Sequence, residues 1–283
     1  MTKTFDPRLT PARPDLAAAH LKGSIEAASY TPGRAMHVSA GIADLRRSPG
    51  SDSPLDTQLL HGENVMLYED HEGWGWVQLT RDHYVGYVAM IALANDEAKT
   101  THRVSANRTF VYPGPDIKLP PLAALPLGAE ISVAEDKGRF VRLVESGFVF
   151  ADHIRPREDL ASDFVAIAER FLATSYLWGG KTSLGIDCSG LVQISLAEAG
   201  IAAPRDTDLQ EQTLGTGLPV DELHDLRRGD LVFWKGHVGI MRDATELLHA
   251  NAHHMLVASE PLVKARDRIL RNGSQRITSI RRL

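Results

Sequence analysis

One cysteine, Cys188, stands among 283 residues, which excludes an internal disulfide framework and a cysteine-rich zinc ribbon and fits a reducing compartment. No stretch approaches the ~18 consecutive apolar residues of a membrane span. The opening MTKTFDPRLTPARPDLAAAHLKG carries three prolines and charges throughout, without the continuous apolar run of a secretory signal. These absences lead to the expectation of a cytoplasmic protein without membrane contact. Long runs of one charge are missing too. With 31 Lys+Arg against 36 Asp+Glu the net charge is −5, so no broad basic face for nucleic acid is expected. What is present is 43% apolar, with 15 Pro and 23 Gly, a composition of folded globular domains rather than of disordered or fibrous chains. At ~150 residues per domain the length predicts about two domains, or three small ones.

The first half contains an internal repeat. Val38-Ser39-Ala40 recurs as Val104-Ser105-Ala106, and at that shift of 66 positions Gly62 meets Gly128, Val65 meets Ile131, and Glu69-Asp70 meet Glu135-Asp136. The register then shortens, so that Trp76-Val77 face Phe140-Val141 and Gly86-Tyr87-Val88 face Gly147-Phe148-Val149. Segments such as NVMLYED, GWVQLT and EISVAED alternate apolar with polar residues between Gly, Asp and Pro, which predicts two small antiparallel barrels, 36–95 and 100–155. The stretch VYPGPDIKLPPLAALP is expected as a long loop inside the second. Residues 1–35 form an N-terminal extension with no recognisable chemistry.

Beyond Arg157 the apolar period changes. Phe164, Ile167, Ala168, Phe171 and Leu172 predict a helix capped by Ser162. A second helix is expected over SGLVQISLAEA, with Leu191, Val192, Ile194 and Leu196 as its buried side and Gly200 as its stop. Strands DLVFW and HVGIM, joined by Lys235-Gly236, read as a hairpin, with a further strand at ELLHA. The fold class expected for 156–283 is α+β, preceded by two small all-β barrels.

Cys188 lies in Gly-Ile-Asp-Cys-Ser-Gly at the start of that second helix. Backbone N–H groups at a helix start carry partial positive charge, which lowers a thiol pKa and holds an oxyanion. Residue type alone leaves an inert buried thiol open, since free cysteine is among the most buried residues. His237 opens a strand and His249 follows on the next; a neutral imidazole accepts a proton at one nitrogen while the other is oriented by a third polar group.

Tyr176-Leu-Trp178-Gly-Gly, Asp187-Cys188-Ser189-Gly, Pro204-Arg205-Asp206-Thr207, Arg228-Gly-Asp-Leu, His237-Val-Gly-Ile and His249-Ala, in that order, resemble the NlpC-type bacterial cell-wall cysteine peptidases over the last ~125 residues. The resemblance implies a papain-like core with Cys188 as nucleophile, His237 as base and then acid, and His249 as orienting residue. With the barrels, the chain resembles the subgroup of γ-D-glutamyl-L-diamino acid endopeptidases, whose first barrel closes one end of the groove and reads the free N-terminal L-Ala of a peptidoglycan tripeptide or tetrapeptide.

That resemblance implies that Glu63, Tyr84 and Asp187 meet the substrate ammonium. The repeat adds that Glu63 is replaced by Ala129 in the second barrel and that Tyr84 faces Glu145. Tyr87 stands where the subgroup has tryptophan, and Thr207 where it commonly has serine. Ser189 and Thr207 are expected along the D-Glu part of the ligand, with Tyr176 and Trp178 walling the groove and Asp206 also among the substrate-binding residues. Arg205 either holds Asp206 or attracts substrate carboxylates. No cofactor and no metal is expected, because the spacing of His249, His253 and His254 shares a face only on a helix, whereas Leu247-Leu248-His249 reads as a strand. The alternatives are an amidase or acyltransferase of the same core, or a non-catalytic wall-binding protein. A cytoplasmic location would point to recycling of imported wall peptides.

Overall fold

A computed structural model describes residues 5–136, 138–220, 223–273 and 275–283, so the first four residues of the extension lie outside it. The chain divides into two compact units, 1–158 and 159–283. No helix among the described residues is long and apolar enough to cross a membrane.

In the first unit, an antiparallel seven-stranded sheet runs in the order Leu55–Leu60, Ile42–Arg46, Val85–Ala89, Trp74–Leu79, Asn64–His71, Arg34–Val38, Leu93–Asn95. Its inward side chains, among them Val38, Leu45, Leu59, Val77 and Val88, form one buried core. The second copy builds a separate core around Val104, Ile131, Val141 and Val149. There the strands fall into three small sheets, and Arg108–Val111 pairs with Ala123–Pro126 around the proline-rich loop.

The repeat seen in the sequence is also a repeat of backbone bonds. Gly62 N–H donates to Val38 O as Gly128 N–H does to Val104 O, and Ser39 N–H donates to Ala92 O as Ser105 N–H does to His153 O. Gly62 and Gly128 sit at φ +80° and +82°, the left-handed region open to glycine at little cost. The extension is folded onto the first copy. Leu16–Ala18 pairs in parallel with Ser29–Thr31, and the Arg13 guanidinium lies 4.4 Å from the centre of the Trp76 ring while donating to Glu69 and the Tyr87 hydroxyl.

The second unit centres on a six-stranded sheet in the order Thr216–Leu218, Ser279–Arg282, Leu231–Trp234, His237–Met241, Glu246–Asn251, Leu256–Pro261. Four helices accompany it: α1 Phe164–Glu169, α2 Cys188–Glu198, α3 Thr207–Thr213 and α4 Leu262–Gly273. Helix α1 is capped by Asp163, not by Ser162 as its sequence suggests. The Asp163 carboxylate accepts the N–H groups of Val165 and Ala166, a cap one residue later. The helix also stops at Glu169, short of Phe171 and Leu172, and Ala173 at φ +65° turns the chain toward Val257.

Helix α2 is buried almost all round, including Gln193, Ser195 and Glu198, rather than on the single apolar side expected, because it is packed against α1, α3 and the strands carrying His237 and His249. Gly200, at φ +75°, follows its end as expected. The Arg-Gly-Asp-Leu segment is structural: buried Asp230 accepts from Arg282 at 2.6 and 2.8 Å and from the Arg227 N–H, tying the final strand into the sheet.

A methyl group on Gly62 would lie 2.2 Å from the carbonyl oxygen of Glu130, whereas one on Gly73, also at φ +80°, meets no atom within 4 Å. Alanine at Gly73 carries only the left-handed strain of about 1–2 kcal/mol; alanine at Gly62 adds a backbone collision. Thermal unfolding followed by circular dichroism should therefore rank Gly62→Ala below Gly73→Ala. Equal melting temperatures would show that the two barrels' contact at this turn contributes nothing.

Candidate active site

The site is assembled around Asp187, the N-cap of α2. Its Oδ1 accepts the Gly190 N–H at 2.7 Å and the Ser189 hydroxyl at 3.4 Å; its Oδ2 accepts the Gly179 N–H at 2.8 Å and Arg205 Nη2 at 2.6 Å. Arg205 is 1% exposed and also donates to Ser189 Oγ at 2.8 Å. Four donors fill the roughly four lone-pair positions of a carboxylate. Asp187 thus locks the Gly179–Gly180 turn, the start of α2 and Arg205 together. The guanidinium, for its part, is drawn to Asp187 and Ser189.

Cys188 is the first residue of α2 and is buried. The Val238 N–H donates to its sulfur, and the Thr207 hydroxyl lies 3.9 Å from Sγ. Burial, reinforced by the charge of Asp187, pushes the thiol up to about 11, against the opposing pull of the Val238 N–H, Thr207 and Arg205. The helix start alone therefore does not deliver a thiolate near neutrality, as its position in the sequence suggests. Desolvation outweighs the partial charge of the N-terminus at a thiol this deep.

Val238 directly follows His237, so the thiol sits beside the strand that carries the imidazole. His237 Nε2 is 2.8 Å from His249 Nδ1, and His249 Nε2 is 2.9 Å from Glu260 Oε1. Arg268 of α4 closes the chain, with Nη1 2.6 Å from Glu260 Oε2 and Nη2 on Oε1. Burial, then the neighbouring His249 and Arg268, holds His237 well below the ordinary imidazole range, with Glu260 opposing. Burial likewise lowers His249 against Glu260. Although burial acts the other way, Arg268 and then His249 hold the Glu260 carboxyl far below its usual value, so it is ionised. At rest the thiol and both imidazoles are neutral. Glu260 and Arg268 escaped the sequence reading: His249 pairs with Ala258 across the hairpin, and only that register puts Glu260 diagonally beside it on the same face.

Tyr176 is partly buried, and its phenol is pushed up by burial and by the nearby Cys188 and Asp187. Trp178 is 65% exposed. Ser189 is buried between Asp187 and Arg205, while Asp206 occupies the N-cap position of α3 and Thr207 its first turn. In the first unit, Glu63 is 4% exposed; its Oε2 accepts the Leu60 N–H at 2.8 Å and its Oε1 lies 3.3 Å from Arg81 Nε. Tyr84 is part of that unit's apolar core.

His249 stands on its strand while His253 and His254 lie in the following turn, their rings 4.6 Å apart edge to face. His249, His254 and Glu260 do bring nitrogen and oxygen atoms within 4.8 Å of one another. His249 Nε2, however, is already bonded to the Glu260 carboxylate, which also accepts from Arg268, and His254 turns Nδ1 to Asn251 at 3.0 Å.

Two family descriptions match the chain: "Bacterial dipeptidyl-peptidase Sh3 domain" over residues 45–93 and "NlpC/P60 family" over residues 173–267. Among curated proteins it is similar to Dipeptidyl-peptidase 6 of Lysinibacillus sphaericus, 28% identical over 76% of this chain and 86% of that one. It is also similar to Gamma-D-glutamyl-L-lysine dipeptidyl-peptidase of Bacillus subtilis, 29% identical over 71% and 73%. The fold is shared with an NlpC/P60 family protein from Bacillus cereus at a TM-score of 0.72, 18% identity, covering 88% of this chain and 99% of that one.

With a neutral thiol at rest, alkylation of the single cysteine by iodoacetamide should accelerate roughly tenfold per pH unit between about pH 6 and 9, following the thiolate fraction. A rate flat over that range would mean that sulfur and imidazole already exist as an ion pair.

Proposed function

We propose that this chain, a cysteine peptidase with an NlpC/P60 domain behind a bacterial Sh3 domain, hydrolyses the γ-D-glutamyl-diamino acid bond of peptidoglycan stem peptides with a free N-terminal L-Ala. The observation that carries the reading is the thiol of Cys188 beside the His237 strand, with His237 bonded to His249 at 2.8 Å. The names of two relatives, a dipeptidyl-peptidase and a γ-D-glutamyl-L-lysine dipeptidyl-peptidase, support the reading, the second also the choice of bond.

The reaction follows from the resting charge states. As Sγ attacks the γ-carbonyl carbon of D-Glu, its proton passes to the ring nitrogen of His237 that is not bonded to His249. The developing oxyanion is met by backbone N–H groups at the start of α2, where positive partial charge accumulates. The imidazolium then protonates the departing diamino-acid nitrogen, leaving a γ-glutamyl thioester on Cys188. Water, deprotonated by the same imidazole, cleaves the thioester and restores the thiol. Neither charge has to exist before the substrate arrives. In this reading Tyr176, Trp178, Ser189, Asp206 and Thr207 border the glutamyl part of the ligand, and Glu63 with Tyr84 answers for the amine. Action in the cytoplasm on imported wall peptides belongs to the same proposal.

General acid–base catalysis of this kind is worth ~10²–10⁴ in rate. His237→Ala should accordingly lose at least about a hundredfold in kcat while still binding the peptide. L-Ala-γ-D-Glu-meso-diaminopimelate should be cleaved at least about tenfold more efficiently than its N-acetylated form, a difference of ~1.4 kcal/mol. Equal kcat/KM for the two peptides would remove the amine-reading role of Glu63 and Tyr84, and wild-type turnover by His237→Ala would remove the peptidase mechanism.

A further inference from the structure

A histidine in the orienting position leaves a question that an aspartate would not. Neutral His249 carries one proton and one lone pair, so by itself it serves equally well as donor or acceptor toward His237. If His249 Nδ1 bears the proton, His237 Nε2 must accept it. His237 then carries its own proton on Nδ1, and the nitrogen left for the thiol has no lone pair. If His249 Nδ1 bears the lone pair, His237 Nε2 donates and Nδ1 becomes the base. The 2.8 Å separation of the two rings fits both arrangements, and only one is catalytic.

The structure assigns the choice to Glu260: its carboxylate, held by Arg268, fixes the tautomers of both histidines and so leaves His237 Nδ1 free of its proton. This rests on the peptidase reading above. An ionised carboxylate only accepts, so across the 2.9 Å contact His249 Nε2 must be the donor. Neutral His249 then presents a lone pair at Nδ1, His237 Nε2 must donate to it, and Nδ1 of His237 is the remaining lone pair. Each step is forced by the one before. Arg268 keeps Glu260 ionised and pins both of its oxygens, with the Glu260 side chain 12% and the Arg268 side chain 15% exposed.

Glu260 is therefore a positioning residue. Its negative charge also favours the imidazolium that forms when the thiol proton arrives. The titratable and charged groups around the pair are Cys188, Glu260 and Arg268, with His254 from the turn after His249; of the charged groups only Glu260 raises the two imidazoles, Arg268 opposing it.

The experiment joins two readouts on the full chain. In ¹⁵N-histidine-labelled protein near neutral pH, with His237 and His249 assigned through His237→Asn and His249→Asn, long-range ¹H–¹⁵N spectra should show both rings protonated at Nε2 and bare at Nδ1. In Glu260→Gln, whose amide both donates and accepts, the tautomers should mix. Its kcat should fall about 10- to 100-fold with little change in KM, and the acid limb of kcat/KM should move to lower pH because a charge that favours imidazolium is gone. Wild-type spectra with His249 protonated at Nδ1 would overturn the assignment. So would a Glu260→Gln protein with unchanged tautomers and an unchanged acid limb, whatever its kcat. The spectra need no substrate, so failure of the peptidase reading would appear separately, as absent turnover with the expected tautomers in place.

Discussion

The start of helix α2 in the second unit is organised by a buried ion pair. Arg205, almost fully enclosed, meets Asp187 at 2.6 Å, and the carboxylate of that pair organises the loop and helix start that carry Cys188. The Asp187 carboxylate caps α2 and so fixes where Cys188 begins the helix. It also binds the Gly179 N–H, which brings the Trp178-Gly-Gly segment against the helix start. Gly190 is part of the same arrangement, since a methyl there would lie 2.3 Å from the Gly180 carbonyl oxygen. Burying two charges is costly unless geometry and further hydrogen bonds compensate. Here Gly179, Gly190 and Ser189 supply them, so the pair fixes one conformation of the loop and helix that hold the thiol.

Depth at the sulfur has a chemical consequence. A helix N-terminus lowers a thiol pKa only where water or a positive neighbour shares the work; around Cys188 desolvation wins and the nearby carboxylate adds to it. The same burial weakens His237 as a base. Both shifts oppose charge separation, and the cost is offset when one proton crosses from sulfur to imidazole, because the two new charges face each other in a medium where their attraction is large. In the line from His237 through His249 to Glu260 each ring donates away from the sulfur, and the carboxylate that accepts the last of these bonds also accepts from the Arg268 guanidinium.

Much of this was legible in the residues alone. The repeat of Val38-Ser39-Ala40 at Val104 became a repeat of hydrogen bonds, because a turn that needs a left-handed glycine and a buried valine leaves the same marks wherever it is used. The hairpin at Lys235-Gly236, the strand of His249 and the glycine stop of α2 were read for similar reasons: each is decided by two or three adjacent residues. What stayed hidden is set by distant partners. Arg205 had two readings until Asp187, 18 residues away in sequence, was seen to hold it. The pattern of Phe171 and Leu172 overstates helix α1, since it continues into the turn that follows Glu169. Glu260 and Arg268 had no motif, since their roles come from strand register and from a helix packed over it.

The two barrels differ at one position of the turn they share. Glu63 N–H bonds to Leu60 O as Ala129 N–H does to Pro126 O, so the turns are equivalent and Leu60 corresponds to Pro126. Leu60 has an N–H, which the Glu63 carboxylate accepts through Oε2 at 2.8 Å; proline has none, and an alanine then suffices. Part of the Glu63-to-Ala129 difference is thus explained by backbone hydrogen bonding, without any ligand. That accounts for one oxygen. The other, Oε1, faces Arg81 at 3.3 Å, and Arg81 has a second acceptor in Glu130 at 3.0 Å. Oε1 is thus one of two carboxylate oxygens that share Arg81, which ties this turn of the first copy to Glu130 of the second.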